Sequence, residues 1–150
     1  MKAHRGELYM AKILKCQVCG SPDIQTVITD EIYRYKGKSL AIPDFKKTVC
    51  KNCGEDVGYP ESIKASIPLL RDFQRKIDGF LTSKEIKAIR KSFGLTQDEF
   101  SELLGGGAKA FARYENGTVL QSKPMDNLLR GLREYPEMIN LYKKRSLKVA

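Results

Sequence analysis

The chain has 150 residues, of which 41% are hydrophobic, and a formal net charge of +9. A chain of this length can bury one modest hydrophobic core or two small ones, and small cores need further stabilisation, such as a bound metal or a disulfide. The apolar runs are too short for a signal peptide or a membrane span, which excludes secreted and membrane-spanning classes. We therefore expect a cytoplasmic protein, and the basic charge predicts a polyanionic partner.

The first predicted element is a metal site built from the four cysteines. They form two C-x-x-C pairs, each followed by a glycine: Cys16, Cys19 and Gly20, then Cys50, Cys53 and Gly54. A C-x-x-C turn brings two thiolates onto one metal, and the glycine permits the positive φ of a tight knuckle. Two matched pairs predict one closed, structural Zn²⁺ site per chain. Two disulfides or buried thiols fit less well, because the sequence shows no secretory apolar segment, and a thioredoxin-like motif fits less well, because no βαβ pattern surrounds either pair.

A β-hairpin is predicted between the two cysteine pairs. Ile24, Thr26 and Ile28 alternate with polar neighbours, and the Tyr35–Lys38 segment has the composition of a turn. A return strand through Leu40 and Ile42 is expected to break at Pro43. The first module is therefore predicted to be a zinc ribbon with a long hairpin.

A connector helix is predicted next, over residues 68–77. Pro68 suits a helix start, and Asp78-Gly79 suits a stop. Apolar residues recur on one face at helical spacing: Leu69, Leu70, Phe73 and Ile77. That face either packs inside the protein or forms a partner surface.

Two capping boxes predict the next two helices. Thr82 with Glu85 opens one helix, which Gly94 closes, and Thr96 with Glu99 opens a second. Glycines 105–107 break the second helix, and a third is predicted from near Gly107 to Glu115. Two short helices across a glycine turn indicate a helix-turn-helix.

Five residues of this motif are candidate DNA contacts. In a helix-turn-helix the second helix of the motif lies in the major groove, and here that is the predicted helix from near Gly107 to Glu115. Its outward-facing candidates are Lys109, Ala112 and Arg113. Arginine matches the O6 and N7 atoms of guanine, so Arg113 is the leading base reader and Lys109 the second. The free backbone amides near Thr96 and Gln97 favour a phosphate, and the Gln97 side chain is a further donor.

Two last helices are predicted after the helix-turn-helix. Ser122 and Pro124 precede a stripe of apolar residues, and Pro136 starts a short helix. These surfaces complete the core or form a homodimer seam, which doubles the DNA contacts. The predicted fold is α+β and multidomain, with a β-rich zinc ribbon in residues 1–60, a connector in 61–81 and an all-α, five-helix helix-turn-helix domain in 82–150.

The order of these motifs resembles a known family. The most specific segments are residues 95–97, residues 104–107 with the glycine triplet, and residues 110–117 with the sequence AFARYENG. Together with the two C-x-x-C pairs, they are similar to the MqsA (YgiT-type) antitoxins of bacterial toxin–antitoxin systems, over roughly residues 14–142.

The resemblance implies that the helix-turn-helix in residues 82–150 is of the Xre type, and that the two parts of the chain have different functions. The zinc module is expected to bind and neutralise a small ribonuclease toxin, and the C-terminal half to dimerise, bind operator DNA and repress its own operon. It also implies that Arg113 is the base-reading arginine. The alternative is a stand-alone transcription regulator with no toxin partner. An enzyme is not expected, because the single histidine, His4, lies in a predicted tail and no phosphate-binding loop is present.

Overall fold

The computed structural model describes residues 15–146, so His4 lies outside the described part. Over that range a three-stranded sheet precedes six helices. The strands are β1 (Ile24–Tyr35), β2 (Lys38–Cys50) and β3 (Asp56–Gly58). The helices are α1 (Pro60–Asp78), α2 (Ser83–Ser92), α3 (Gln97–Leu104), α4 (Ala110–Glu115), α5 (Lys123–Glu134) and α6 (Ile139–Ser146), and a 3-10 turn at Pro136–Met138 precedes α6.

The sheet is a hairpin extended by one short strand, in the order β1-β2-β3. Lys36 and Gly37 form the predicted two-residue turn, with φ angles of 46° and 75°. Two consecutive positive φ angles produce the turn whose twist matches that of antiparallel strands. β3 pairs antiparallel with the end of β2, with Thr48 opposite Val57. The predicted hairpin is therefore confirmed.

One expectation about the sheet was wrong. β2 does not break at Pro43 but continues to Cys50. Asp44, the next residue, adopts a φ of 53°, a local irregularity of the kind by which a strand accommodates a proline. Ile28 and Ile32 of β1 are 64% and 52% exposed, so these two side chains lie on the solvent side of the sheet.

The connector helix starts earlier than the sequence suggested. α1 begins at Pro60, eight residues before the predicted start, and Pro68 lies inside it. Pro60 takes the first helical position, where its missing N–H costs nothing, and Glu61 places a negative charge in the first turn. The helix ends at Asp78, as predicted, and Gly79 follows with a φ of 70°.

By internal contacts the chain divides into two compact units. The first comprises Met1–Glu31 and Ala41–Lys64, and the second comprises Ile32–Leu40 and Ala65–Ala150. In the first unit, Cys16, Ile42 and Cys50 are buried. In the second unit, the core is a cluster supplied by α2 to α6 and the segment before α2: Leu81, Ile86, Ile89, Phe100, Phe111, Met125, Leu129, Leu132 and Ile139.

Candidate metal centre and nucleic-acid interface

The first cysteine pair sits in a tight backbone knuckle. The Cys16 N–H donates to the Ser21 carbonyl at 2.8 Å, and the Gly20 N–H donates back to the Cys16 carbonyl at 3.0 Å. Gly20 has a φ of 72°, which a residue with a Cβ adopts only with strain. The knuckle therefore depends on this glycine.

The second pair repeats the construction. The Cys50 N–H donates to the Glu55 carbonyl at 2.8 Å, the Gly54 N–H donates to the Cys50 carbonyl at 2.9 Å, and Gly54 has a φ of 78°. This knuckle connects the end of β2 to β3. The antiparallel pairing of these two strands therefore holds the two ends of the knuckle together. The two knuckles thus have the same backbone hydrogen bonds.

The knuckles bring four thiols together. The Sγ atoms of Cys16, Cys19, Cys50 and Cys53 all lie within 4.8 Å of one another. The Sγ–Sγ distances are 3.6 Å for Cys16 with Cys53 and 3.6 Å for Cys19 with Cys50. These distances are too long for disulfides, and all four cysteines are free. Tetrahedral ligands at about 2.3 Å from one metal would be about 3.8 Å apart, so this cluster could hold a metal ion.

A further residue of this centre was missed by the sequence analysis. The Asn52 side-chain amide donates to the Cys19 Sγ at 3.6 Å. This bond, followed by one from the Ser21 backbone, lowers the pKa of the Cys19 thiol to about 6. The thiolate is the form that binds a metal. The only signal in the sequence was the position of Asn52 between the two cysteines of the second pair.

The proposed phosphate-binding end of α3 is capped as predicted. The Thr96 backbone N–H and hydroxyl both donate to Glu99 Oε2 at 2.7 Å, and the Thr96 hydroxyl accepts from the Glu99 N–H at 3.2 Å. The backbone hydrogen bond from Thr96, with that from its hydroxyl, lowers the pKa of Glu99. The other predicted box, Thr82 with Glu85, is equally complete.

Gln97 is held by a buried ion pair that the sequence analysis did not identify. Its amide donates to Glu115 Oε2 at 2.8 Å. Arg90 donates to both oxygens of the same carboxylate, at 2.6 and 2.9 Å. Burial works to raise the pKa of Glu115, but hydrogen bonds from Arg90 and Gln97 outweigh it and hold that pKa below its usual range. The Glu115 carboxylate thus joins α2, α3 and the end of α4.

The remaining candidates lie on and before α4. The Arg113 side chain is exposed, and Ala112 beside it is half-buried. Lys109 was expected on the third helix, near its predicted start at Gly107; instead the helix begins at Ala110 and Lys109 is its N-cap, in the left-handed region with a φ of 61°. The difference arises because Gly105, Gly106 and Gly107 all have positive φ angles, which an α-helix excludes. Lys109 is also exposed.

Comparison with known proteins identifies the family. Residues 14–143 match the family model described as the antitoxin component of a bacterial toxin–antitoxin system, MqsA. The chain belongs to the MqsA antitoxin family. The region that matches the MqsA model includes all four cysteines and the whole of α3 and α4.

Two curated relatives illustrate the match. The chain is 31% identical over 128 residues to Antitoxin MqsA of Escherichia coli (strain K12), covering 85% of this chain and 98% of that protein. It is also 27% identical over 84 residues to Protein GrpE of Bacteroides thetaiotaomicron, covering 55% of this chain and 44% of that protein. Over residues 15–146, no helix is long and apolar enough to cross a membrane.

Proposed function

We propose that this chain is an antitoxin that neutralises a small ribonuclease toxin and represses its own operon by binding operator DNA. The observation that carries the proposal is the alignment with the E. coli antitoxin, which covers 98% of that protein. In this proposal the thiol cluster holds the toxin-binding module together, and the exposed Arg113 of α4 contacts DNA.

We propose that the four thiols bind one Zn²⁺. An all-thiolate set is the soft ligand set that zinc prefers, and the Sγ spacing fits tetrahedral coordination. Four protein ligands leave no open position for water, so the ion would staple the knuckles and supply no Lewis-acid chemistry. In this proposal residues 1–60 form the toxin-binding module, and no catalytic residue is assigned.

The DNA-binding part of the proposal rests on α3 and α4. We assign them as a helix-turn-helix, with the Arg113 guanidinium directed to a guanine and Lys109 and Ala112 at the edge of the same contact. The backbone N–H groups of Gln97 and Asp98 at the start of α3, which the Thr96–Glu99 capping box does not use, are assigned to a phosphate. Residues 82–150 would act as a homodimer in the cytoplasm, because one small module makes few base contacts.

The test uses the full-length, zinc-loaded chain. A tagged chain is incubated with lysate of its host, the retained protein is identified and purified separately, and its cleavage of RNA is measured with and without the antitoxin. Capture of one stoichiometric ribonuclease, whose cleavage stops when the chain is added at equal concentration, supports the proposal.

The matched control is Cys50→Ser, which removes one of the four thiols and is expected to lose both capture and inhibition. If no ribonuclease is captured while operator binding is intact, the antitoxin proposal fails and the stand-alone regulator replaces it.

A further inference from the structure

A fully buried arginine joins α1 to the end of α4. Arg75 has 0% of its surface exposed, although it is charged. A guanidinium carries five N–H donors, and a buried charge is tolerated only when it is paired and hydrogen-bonded. The structure gives Arg75 five acceptors: Gln121 Oε1 at 2.9 Å, Asp72 Oδ1 at 2.7 Å, Ser83 Oγ, the Tyr114 carbonyl at 3.1 Å and the Val119 carbonyl at 2.8 Å.

Two of these acceptors belong to the segment that positions α4. The Tyr114 carbonyl is in the last turn of α4, and the Val119 carbonyl is in the chain that leaves it. The last four carbonyls of a helix have no partner within it, and a positive charge there is favourable to the helix dipole. One nitrogen, Nη2, donates to both carbonyls, so Arg75 holds the end of α4 and its exit segment together.

The position of α4 depends on such contacts more than that of a long helix does. α4 has six residues, which is too few for a helix to be stable on its own. Its N-cap, Lys109, makes no side-chain cap hydrogen bond. Arg113 is exposed and immediately precedes Tyr114. A shift of the Tyr114 carbonyl would therefore also move the Arg113 side chain.

The other partners of Arg75 are themselves fixed. Asp72 Oδ1 accepts from the Ser83 N–H at 3.0 Å as well as from Arg75. Gln121 is 2% exposed, and its amide donates to the Leu81 carbonyl at 2.7 Å and to Asp126 Oδ1 at 3.0 Å. The guanidinium therefore lies in a network whose members have few alternative positions.

We propose that Arg75 is a positioning residue for DNA sequence recognition. It holds the C-terminal end of α4 in the position from which the Arg113 side chain can contact its base. This inference rests on the proposed DNA binding. Arg75 itself touches no DNA, since it is fully buried. Discrimination between the operator and other DNA needs a bidentate arginine contact with defined geometry, whereas attraction to phosphates does not. Loss of Arg75 should therefore reduce specificity more than general DNA affinity.

The decisive variant is Arg75→Lys. It keeps the positive charge but replaces the planar five-donor fork by a point charge with three donors, so the two carbonyls near α4 are not both reached. The matched control is Arg71→Lys, one turn earlier on α1, whose guanidinium donates to Gln74 of the same helix at 2.9 Å. A milder variant, Asp72→Asn, leaves Arg75 in place and removes only its charged partner.

Two quantities are measured for folded protein. One is the ratio of affinities for a duplex from the promoter of its own operon and for random duplex. For Arg75→Lys we expect this ratio to fall about tenfold with random binding unchanged, as for one disturbed bidentate contact. The other is amide hydrogen exchange, which should be faster at Asn116 and Gly117, whose N–H groups close the end of α4. Arg71→Lys should change neither quantity.

Each outcome decides the inference. An unchanged affinity ratio, or equal losses on both duplexes, overturns it. If the wild type does not distinguish the two duplexes, the proposed function fails, and the inference, which rests on it, fails with it whatever the exchange at Asn116 and Gly117. If Arg75→Lys does not fold, the same measurements on Asp72→Asn decide, with a smaller expected change in the same direction.

Discussion

Arg113 is the exposed side chain on which sequence recognition is proposed to depend. We expect Arg113→Ala to weaken operator binding by about 1 to 3 kcal/mol and to leave binding to random DNA nearly unchanged, because a base contact carries specificity. Fluorescence anisotropy with both duplexes measures the two affinities. Arg133→Ala, an exposed arginine on α5, is the control and should alter neither. Equal weakening on both duplexes would reassign Arg113 to phosphate contact.

The Arg90–Glu115 pair makes stability depend on pH. The side chains are 10% and 2% exposed, and removing one partner leaves a buried charge, so Glu115→Gln should cost about 3 kcal/mol at neutral pH. The pKa of Glu115 is lower in the folded protein. Its stabilisation is therefore complete above the unfolded-state pKa, about 4.3, and is lost as the pH falls through the folded-state value.

Chemical denaturation of both proteins across this pH range measures the difference. The difference in the free energy of unfolding between wild type and Glu115→Gln, called the gap below, should disappear in acid. Glu102→Gln, an exposed glutamate on α3, should show no gap at any pH. A gap that persists below the folded-state pKa would mean that the effect is not electrostatic.

The residues that the sequence revealed are those whose roles follow from close neighbours. A C-x-x-C pair indicates a metal site by its own spacing, and the four thiols do lie together. Arg75 and Glu115 gave no such signal, because most of their partners are distant in the chain: Gln121 is 46 positions from Arg75, and Arg90 is 25 from Glu115. Only the folded backbone brings them into contact.

The same distinction applies to helices and strands. Both capping boxes were predictable, since Thr82 and Thr96 each bind a glutamate three residues on. Prolines misled the analysis at Pro43 and Pro68, where each was taken as a boundary and each lies inside an element. A proline within a helix costs about 3 kcal/mol, so tertiary packing must offset it. Pro68 packs closely against Gly117, and this contact was not visible in the sequence.

Because of that contact, the two glycines that follow helices α2 and α4 should differ in how well they tolerate a side chain. Gly94 and Gly117 have similar φ angles of 67° and 71°. A Cβ added to Gly94 meets nothing within 4 Å, whereas one added to Gly117 would lie 3.0 Å from the Pro68 Cα. We expect Gly94→Ala to cost about 1 kcal/mol from backbone strain alone and Gly117→Ala clearly more. Thermal unfolding of both variants measures this, and equal losses would contradict the close approach.

At the scale of the whole protein, we propose that metal binding stabilises only the part of the chain around the four cysteines. We expect Cys50→Ser to lose Zn²⁺ and to unfold the sheet near the cysteines, while the helical circular dichroism signal persists. Elemental analysis and circular dichroism measure the two effects. Gln17→Ala, which changes an exposed residue of the first pair and keeps all four thiols, is the control and should retain the metal. Loss of the helical signal together with the metal would show that the two parts do not fold independently.

The net charge of +9 predicts a steep dependence of DNA binding on salt. The logarithm of the affinity should fall linearly with the logarithm of salt concentration, with a slope of about −0.9 for each neutralised phosphate. If Lys109 contacts a phosphate, Lys109→Ala should reduce the slope by about one and weaken operator and random DNA alike. An unchanged slope would place Lys109 off the backbone, and a flat salt response of the wild type would contradict phosphate neutralisation.

The division of the chain into two units has a consequence for proteolysis. The polypeptide passes between the units three times, because the tip of the hairpin, Ile32–Leu40, belongs to the second unit. The tip is held there by Tyr35 and Lys36, which donate to the Asp78 carboxylate at 2.8 and 2.6 Å. A protease that cuts after Lys64 would therefore not free the C-terminal fragment at once. Both fragments would remain together until the hydrogen bonds of the hairpin tip were broken.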